Sequence, residues 1–81
     1  MKNHTKIYMK FFGYQIPEDA RCEICRAPCQ DIHHIHGRGK GMDVIENLAG
    51  LCRNHHDDCH NEVINKSTMQ AIHDKFMENN F

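Results

Sequence analysis

The sequence predicts a small α+β domain that a bound metal ion holds together. The chain has 81 residues, which is too few to bury a large apolar core, so a domain of this size usually needs a covalent or metal crosslink. It carries five cysteines and eight histidines, and an odd cysteine count mixed with histidines favours metal over a disulfide framework. Helical patterns at both ends flank a centre with two short strand-like segments.

The first predicted element is an amphipathic helix over residues 4–12. Tyr8, Phe11 and Phe12 stand at i, i+3 and i+4, which places them on one helical face. Gly13 follows as a natural helix stop, because glycine tolerates the left-handed conformation that ends many helices. We expect this helix to pack on the core.

Residues 22–29 then predict a metal-binding knuckle. Cys22-x-x-Cys25 and Cys52-x-x-His55 have matched spacings, so both pairs can meet at one tetrahedral Zn²⁺. A closed site of this kind contributes folding free energy directly. Either Cys29 or Cys59 could replace one of these ligands, but by default we treat both as small buried residues.

The centre predicts two strands, at residues 31–35 and 48–51, joined through the glycine-rich loop 37–41. Arg38 and Lys40 in this loop are candidates to hold phosphates. A helix over residues 54–61 is too polar to be held by apolar packing, so metal ligation would have to fix it. The last helix, over residues 67–79, has Ser67 as its N-cap and an apolar face of Met69, Ile72, Phe76 and Met77.

The remaining histidines suggest a second metal centre. His56 and His60 are i, i+4 on the polar helix and can share a metal ion. His33 and His34 are adjacent on a strand, so they point to opposite sides, and one can be a ligand while the other faces substrate. The side-chain carbonyl of Asn47 can accept an imidazole N–H and fix that ring's tautomer.

Together these motifs form a family pattern over residues 22–60. Cys-x-x-Cys, Asp-Ile-His-His-Ile and Glu-Asn-Leu-x-x-Leu-Cys-x-x-His-His-x-x-x-His follow one another in order. This pattern resembles the HNH endonucleases, the ββα-metal group that includes the colicin DNases and many small phage nucleases. The chain departs from the commonest version in carrying His55 where a cysteine often completes the zinc knuckle.

The resemblance implies a single ββα-metal (HNH) domain over residues 1–81, with a zinc knuckle and flanking helices, that cleaves or nicks DNA with low intrinsic specificity. His34 would be the general base and Asn47 the residue that orients it. His33, His56 and His60 would hold the catalytic ion, which family behaviour suggests is Mn²⁺ or Mg²⁺, although imidazole ligands also suit Zn²⁺ and Ni²⁺. We assign no role to His4, His36 or His73.

The bulk composition limits the function classes. A net charge of −1 argues against coating nucleic acid by charge alone. We expect neither a signal peptide nor a membrane span, and therefore an intracellular, cytoplasmic protein, with a phage in a bacterial host as a candidate source. The expected partner is DNA, with a homodimer or a phage protein as further candidates. The alternatives are a non-catalytic zinc module that binds DNA or protein, and an accessory nicking subunit of a phage packaging or recombination assembly.

Overall fold

The computed structural model describes residues 2–79 and shows three helices around a two-stranded antiparallel sheet. In chain order, the regular elements are helix α1 (Asn3–Phe12), strand β1 (Asp31–His34), strand β2 (Leu48–Leu51), helix α2 (Arg53–His60) and helix α3 (Lys66–Asn79). Single turns of 3₁₀ helix at Pro17–Asp19 and Ile45–Asn47 lie between them. The predicted α+β class is confirmed. None of the helices in residues 2–79 is long and apolar enough to cross a membrane.

The hairpin of β1 and β2 is the centre of the fold. Its register pairs Asp31 with Leu51 and His34 with Leu48. Helix α1 and helix α2 both contact the two strands. The His34 ring contacts α1 and the His33 ring contacts α2, and neighbouring residues of a strand point to opposite faces. The two helices therefore lie on opposite faces of the hairpin.

The element ends differ from the predictions by a residue or so. Helix α1 spans Asn3–Phe12, and the φ of 72° at Gly13, directly after it, confirms the predicted helix stop. Strand β1 ends at His34 rather than at residue 35, and α2 begins one residue earlier than predicted. The prediction of Ser67 as an N-cap is wrong. Asn65 caps α3, because its Oδ1 accepts a hydrogen bond of 2.8 Å from the amide of Thr68.

A small core joins the knuckle segment, β2 and α3. Cys22, Ile35, Ala49, Leu51 and Met69 form one buried cluster. None of the residues of α2 is buried, which agrees with the expectation that apolar packing does not hold this helix in place.

The core also contains a buried carboxylate that connects most of the elements. Glu23 Oε2 accepts hydrogen bonds from the Tyr8 hydroxyl of α1 at 2.6 Å and from the Gly50 amide of β2 at 3.1 Å. His73 Nδ1 of α3 lies 2.8 Å from Glu23 Oε1, and its Nε2 lies 2.6 Å from the carbonyl oxygen of Ile45. Because both ring nitrogens face oxygen acceptors, both carry protons, and His73 is an imidazolium paired with Glu23.

The hydrogen bonds around Glu23 restrict the residue at position 50 and raise the pKa of His73. A methyl group at Gly50 would lie 2.7 Å from the Tyr8 hydroxyl oxygen, so the close approach of Tyr8 requires glycine at this position. Burial opposes the charge on His73, but the Glu23 carboxylate and the Ile45 carbonyl raise the pKa of His73 above its ordinary value. Glu23 thus holds α1, β2 and α3 against the knuckle.

Candidate metal centres and histidine site

The predicted knuckle ligands come together in the structure. The donor atoms of Cys22, Cys25, Cys52 and His55 all lie within 4.8 Å of one another. The Sγ atoms of Cys25 and Cys52 are 3.7 Å apart, and His55 Nδ1 lies 3.6 Å from Cys22 Sγ and 3.2 Å from Cys52 Sγ. Zinc with ordinary bond lengths holds tetrahedral S–S neighbours about 3.8 Å apart and S–N neighbours about 3.6 Å apart. The cluster is therefore compatible with a metal ion such as zinc.

Local backbone geometry explains why the knuckle forms. Arg26, directly after Cys25, has a φ of 67°, and its amide donates to the Cys22 carbonyl oxygen at 3.0 Å, which closes a tight turn. The guanidinium of Arg26 lies 4.7 Å from the centre of the Phe76 ring and attaches this turn to α3. On the other side, Cys52 directly precedes α2, so His55 lies in the first turn of that helix.

Among the thiols with a shifted pKa, only that of Cys22 is lowered. Burial acts to raise the pKa of Cys22, but the backbone amides of Cys25, Cys52 and Ile24 lower it to about 7. The Ala27 amide acts to lower the pKa of Cys25, but desolvation and the neighbouring Cys22 and Cys52 thiols raise it. Burial raises the pKa values of Cys29 and Cys59 to about 11 each. The mutual distances of the four knuckle donors therefore support the ligand assignment, and Cys29 and Cys59 keep the default assignment as half-buried structural residues.

A second, open site lies beside strand β1. A cavity of about 600 Å³ follows this strand, and its wall includes four of the predicted functional histidines together with one loop arginine: His33, His34, His56, His60 and Arg38. Lys2 and His4 of the N-terminal segment complete the wall on the side of α1. The structure does not bring Lys40, the other predicted phosphate-binding residue, to the wall of this cavity.

His33 and His56, two of the predicted ligands of the catalytic ion, stand next to each other in this cavity. Their ring centroids are 5.1 Å apart, and an ion about 2.1 Å from each nitrogen would hold two centroids roughly 4.5–5.3 Å apart. His56 Nδ1 lies 3.1 Å from Asp31 Oδ2. When Nδ1–H donates to this carboxylate, Nε2 keeps the lone pair that a metal needs, in the arrangement by which carboxylates orient metal-binding histidines.

Burial and the neighbouring histidines favour the neutral form of His33. Burial first, and then His56, His34 and His60, lower the pKa of His33 to about 4. Although its partial burial acts to raise the pKa of Asp31, hydrogen bonds from His56 and Arg53 hold it below its ordinary range. At neutral pH the site therefore offers the uncharged imidazole of His33 and, beside His56, the ionised carboxylate of Asp31.

The full predicted ligand set is not assembled in this structure. Among the described residues, the donor atoms of His33, His56 and His60 do not all lie within 4.8 Å of one another. His60 lies one turn after His56 on α2 and lines the same cavity, so side chains of this group must rearrange before all three can share an ion.

His34 has an acidic partner that the sequence analysis did not identify. Its Nε2 lies 2.8 Å from Asp43 Oδ1, and Asn3 Nδ2 donates to the other carboxylate oxygen at 3.3 Å. The hydrogen bonds from His34 and Asn3 lower the pKa of Asp43, which is therefore ionised. The His34 ring is almost fully buried between α1 and the loop before β2 that carries Asp43.

The predicted contact between Asn47 and the His34 ring is wrong. Asn47 Oδ1 accepts from the His36 amide at 2.8 Å, and Nδ2 donates to the carbonyl oxygens of Gly37 and Met42 at 3.1 and 3.0 Å. Asn47 is buried at the start of β2, where the loop backbone is nearer than the ring. It can orient His34 only indirectly, since Met42 directly precedes Asp43.

His4 belongs to this site although we expected no role for it. Only 8% of its surface is exposed, and its ring stands edge-on to His34 with the centroids 4.7 Å apart. Its nitrogens form no hydrogen bond within residues 2–79. Burial and then the charge of His34 lower the pKa of His4. The donor atoms of His4, His34 and Asp43 all lie within 4.8 Å of one another.

Some of the residues that the sequence analysis missed follow a recognisable sequence pattern, and one does not. His73 stands with Met69, Ile72 and Phe76 on the apolar face of α3, and His4 is i, i+4 with Tyr8, so both could have been predicted to be buried. No sequence pattern relates Asp43 to His34.

Comparison of the chain with protein-family models, with curated proteins and with solved structures returns no significant match.

Proposed function

We propose that this chain is an endonuclease of the HNH type, which hydrolyses DNA phosphodiester bonds with the help of a divalent metal ion. The observation that supports the proposal best is the convergence of His33, His34, His56 and Arg38 on one cavity of about 600 Å³. Cavities of this size are typical of ligand sites. The choice of DNA as substrate rests on the HNH-like pattern in the sequence.

His34 is the proposed general base. With Nε2–H donating to Asp43, the neutral ring carries its lone pair on Nδ1 and can accept a proton from the attacking water. The ionised Asp43 would then stabilise the imidazolium that forms. Asn47 would act through the loop backbone, by holding Met42 and hence Asp43 in place.

His33 and His56 are the proposed ligands of the catalytic ion, and His60 is the third. Mn²⁺ or Mg²⁺, or else Zn²⁺ or Ni²⁺, would neutralise charge that develops on the scissile phosphate. Asp31 orients His56, as described above. Arg38 and Lys2, both on the cavity wall, would hold flanking phosphates and so position the strand.

A non-catalytic zinc module is the second candidate. One observation favours it: the donor atoms of His33, His56 and His60 are not all within 4.8 Å, whereas the four knuckle donors are. This alternative predicts one metal ion per chain and full function, as a DNA- or protein-binding module, after loss of His34. An accessory nicking subunit recruited by a phage protein, or a homodimer that cuts both strands, would keep the same catalytic residues.

The experiment is plasmid cleavage. Supercoiled plasmid is incubated with the purified chain and Mn²⁺, Mg²⁺ or EDTA, and the wild type is compared with His34→Ala and with His36→Ala. His36 is the matched control because it is the neighbouring histidine of the same segment, is exposed and bonds to Gln70 on α3.

We expect metal-dependent nicking or linearisation by wild type and by His36→Ala. His34→Ala should be about 10²–10⁴-fold slower, the usual contribution of a general base, while it retains the zinc of the knuckle and its circular dichroism spectrum. Equal cleavage by His34→Ala and wild type would disprove the assignment of the base. No cleavage by wild type with any metal would favour the zinc module.

A further inference from the structure

His4, His34 and Asp43 form a compact group of donor atoms that the proposed catalytic ion does not use. They come from three separate parts of the chain, namely helix α1, strand β1 and the loop before β2. Their ligand atoms all lie within 4.8 Å of one another. Two imidazoles and one carboxylate make a donor set that suits divalent transition metals such as Zn²⁺.

Distances within the group fit a shared ion. His34 Nε2 and Asp43 Oδ1 are 2.8 Å apart, and two ligands about 2.1 Å from one ion stand roughly 3.0–3.4 Å apart. Only a few tenths of an ångström therefore separate the hydrogen-bonded pair from a ligating pair. The ring centroids of His4 and His34 are 4.7 Å apart, within the range of roughly 4.5–5.3 Å that two imidazoles on one ion adopt.

The chemistry of the group favours a cation over an anion. The His4 ring is mostly buried, but its nitrogens make no hydrogen bond within residues 2–79 and are not shut off from solvent, so a lone pair is open to a metal ion. Asp43 places a carboxylate within the same group, which would repel a phosphate. Asn3 Nδ2 donates to the second oxygen of this carboxylate at 3.3 Å, as neighbouring residues often do for metal-binding carboxylates.

We propose that His4, His34 and Asp43 bind a transition-metal ion of the Zn²⁺ type, separately from the knuckle and from the His33–His56 pair, and that this ion switches off the general base. The inhibitory consequence depends on the nuclease function proposed above. Metal binding by the three residues does not depend on it.

The inhibition follows from the tautomers of His34. His34 Nε2 lies 2.8 Å from Asp43 Oδ1, so in the neutral ring Nε2–H donates to the carboxylate and Nδ1 holds the lone pair. An ion bound to Nε2 takes the place of that proton, and the proton moves to Nδ1, so the ring remains neutral and no proton is released. The nitrogen that would accept a proton from water then already carries one.

The binding test counts zinc ions. Wild type, His4→Gln, His56→Ala and the double variant are titrated with Zn²⁺ in competition with a chromophoric chelator, with His36→Gln as the matched control. His4→Gln and His56→Ala should each bind one zinc ion fewer than wild type, and the double variant should bind two fewer. The affinity lost with His4 should be at least about tenfold, since even supporting residues contribute 10–100-fold.

Asp43→Asn is the second variant, because the Asp43 side chain is partly exposed and its loss is less able to disturb the packing of α1. Thermal unfolding of each variant verifies the fold. A His4→Gln protein that folds and binds as many zinc ions as wild type, with the same affinities, would overturn the proposal.

The inhibition test uses each protein as its own reference. Cleavage in Mg²⁺ is measured with and without added Zn²⁺, and the ratio is compared between wild type and His4→Gln. We expect zinc to inhibit wild type at concentrations at least about tenfold lower than the variant. Equal inhibition of both proteins would overturn the inhibitory role. Loss of one zinc ion by His4→Gln, with no cleavage by any protein, would support the metal site and overturn the nuclease function instead.

Discussion

The knuckle and the histidine site are both candidate metal centres, but the chain builds them in different ways. The knuckle takes its four donors from two short segments, and each segment supplies a pair at a spacing of three residues. Those donors already stand at the separations that tetrahedral zinc requires. The histidine site takes its side chains from α1, β1, α2 and a loop. His4, His34 and Asp43 have their ligand atoms within 4.8 Å of one another, whereas the donor atoms of His33, His56 and His60 are not all so close.

The two sites also differ in their supporting residues. The knuckle is attached to the core through Glu23, which is buried with His73, Tyr8 and Gly50. The histidine site depends on partly exposed carboxylates, Asp31 and Asp43. We infer that the knuckle carries the stability of the fold, whereas the histidine site can bind, release and exchange ions without unfolding the chain.

The largest expected effect is that of removing the metal ion that we expect the knuckle to bind. Structural zinc contributes about 10–16 kcal/mol of apparent binding free energy in zinc-finger peptides, which exceeds the stability of a small domain. A strong chelator, or Cys22→Ser, should therefore abolish most of the helical circular dichroism. Cys29→Ser is the matched control and should remain folded, because its sulfur only donates to the Asp31 carbonyl oxygen. A chain that remains folded without zinc would show that the knuckle does not carry the stability of the fold.

The next effect is the loss of His73. His73→Ala leaves the Glu23 carboxylate buried without its counter-charge, since both side chains are fully buried. Breaking such a pair costs about 3–5 kcal/mol, which urea denaturation with saturating zinc would measure. His36→Ala, at an exposed position, should change the free energy of unfolding by less than about 1 kcal/mol. Equal effects of the two substitutions would show that Glu23 does not join the knuckle to α3.

A smaller effect is expected for Asp31→Asn at the histidine site. The substitution weakens the acceptor that orients His56, and supporting residues of this kind are worth about 10–100-fold in metal affinity. Calorimetric titration with Mn²⁺ should show this loss, while the zinc content of the knuckle stays the same. Arg53→Ala, which removes the other side chain that donates to Asp31, is the control. Release of zinc from Asp31→Asn would contradict the independence of the two sites.

The smallest effect is a pH dependence of the Glu23–His73 pair. The pKa of His73 is raised above its ordinary value of 6.5, so its protonated form stabilises the folded state. That contribution is complete below the unfolded pKa and is lost as pH rises through the folded pKa. The difference in free energy of unfolding between wild type and His73→Ala should therefore shrink as pH rises above about 6.5, the ordinary pKa of histidine. A difference that grew with pH would show that His73 is neutral when folded.

The sequence predicted those parts of the fold and of the site whose geometry depends on residues close together in the chain. The α+β class, the knuckle ligands, the two strands and the presence of each helix followed from spacing and periodicity. The N-cap of α3 was misassigned because Asn65 and Ser67 both have capping side chains, and only the backbone path selects Asn65. Asn47 was given the wrong partner because a side-chain amide can bond to a ring or to a loop with similar ease.

By itself, the sequence determined which side chains can bind metal and which of these side chains lie at a short spacing along the chain. Two residue pairs at short spacing need only a tight turn or one helical turn to present their donors together, so the knuckle is visible in the sequence. The tertiary structure alone decided that His4 and Asp43 surround His34, that Asp31 supports His56 and that Glu23 pairs with His73. These contacts join residues 9 to 50 positions apart, and their distances depend on how the helices pack against the hairpin rather than on any local repeat.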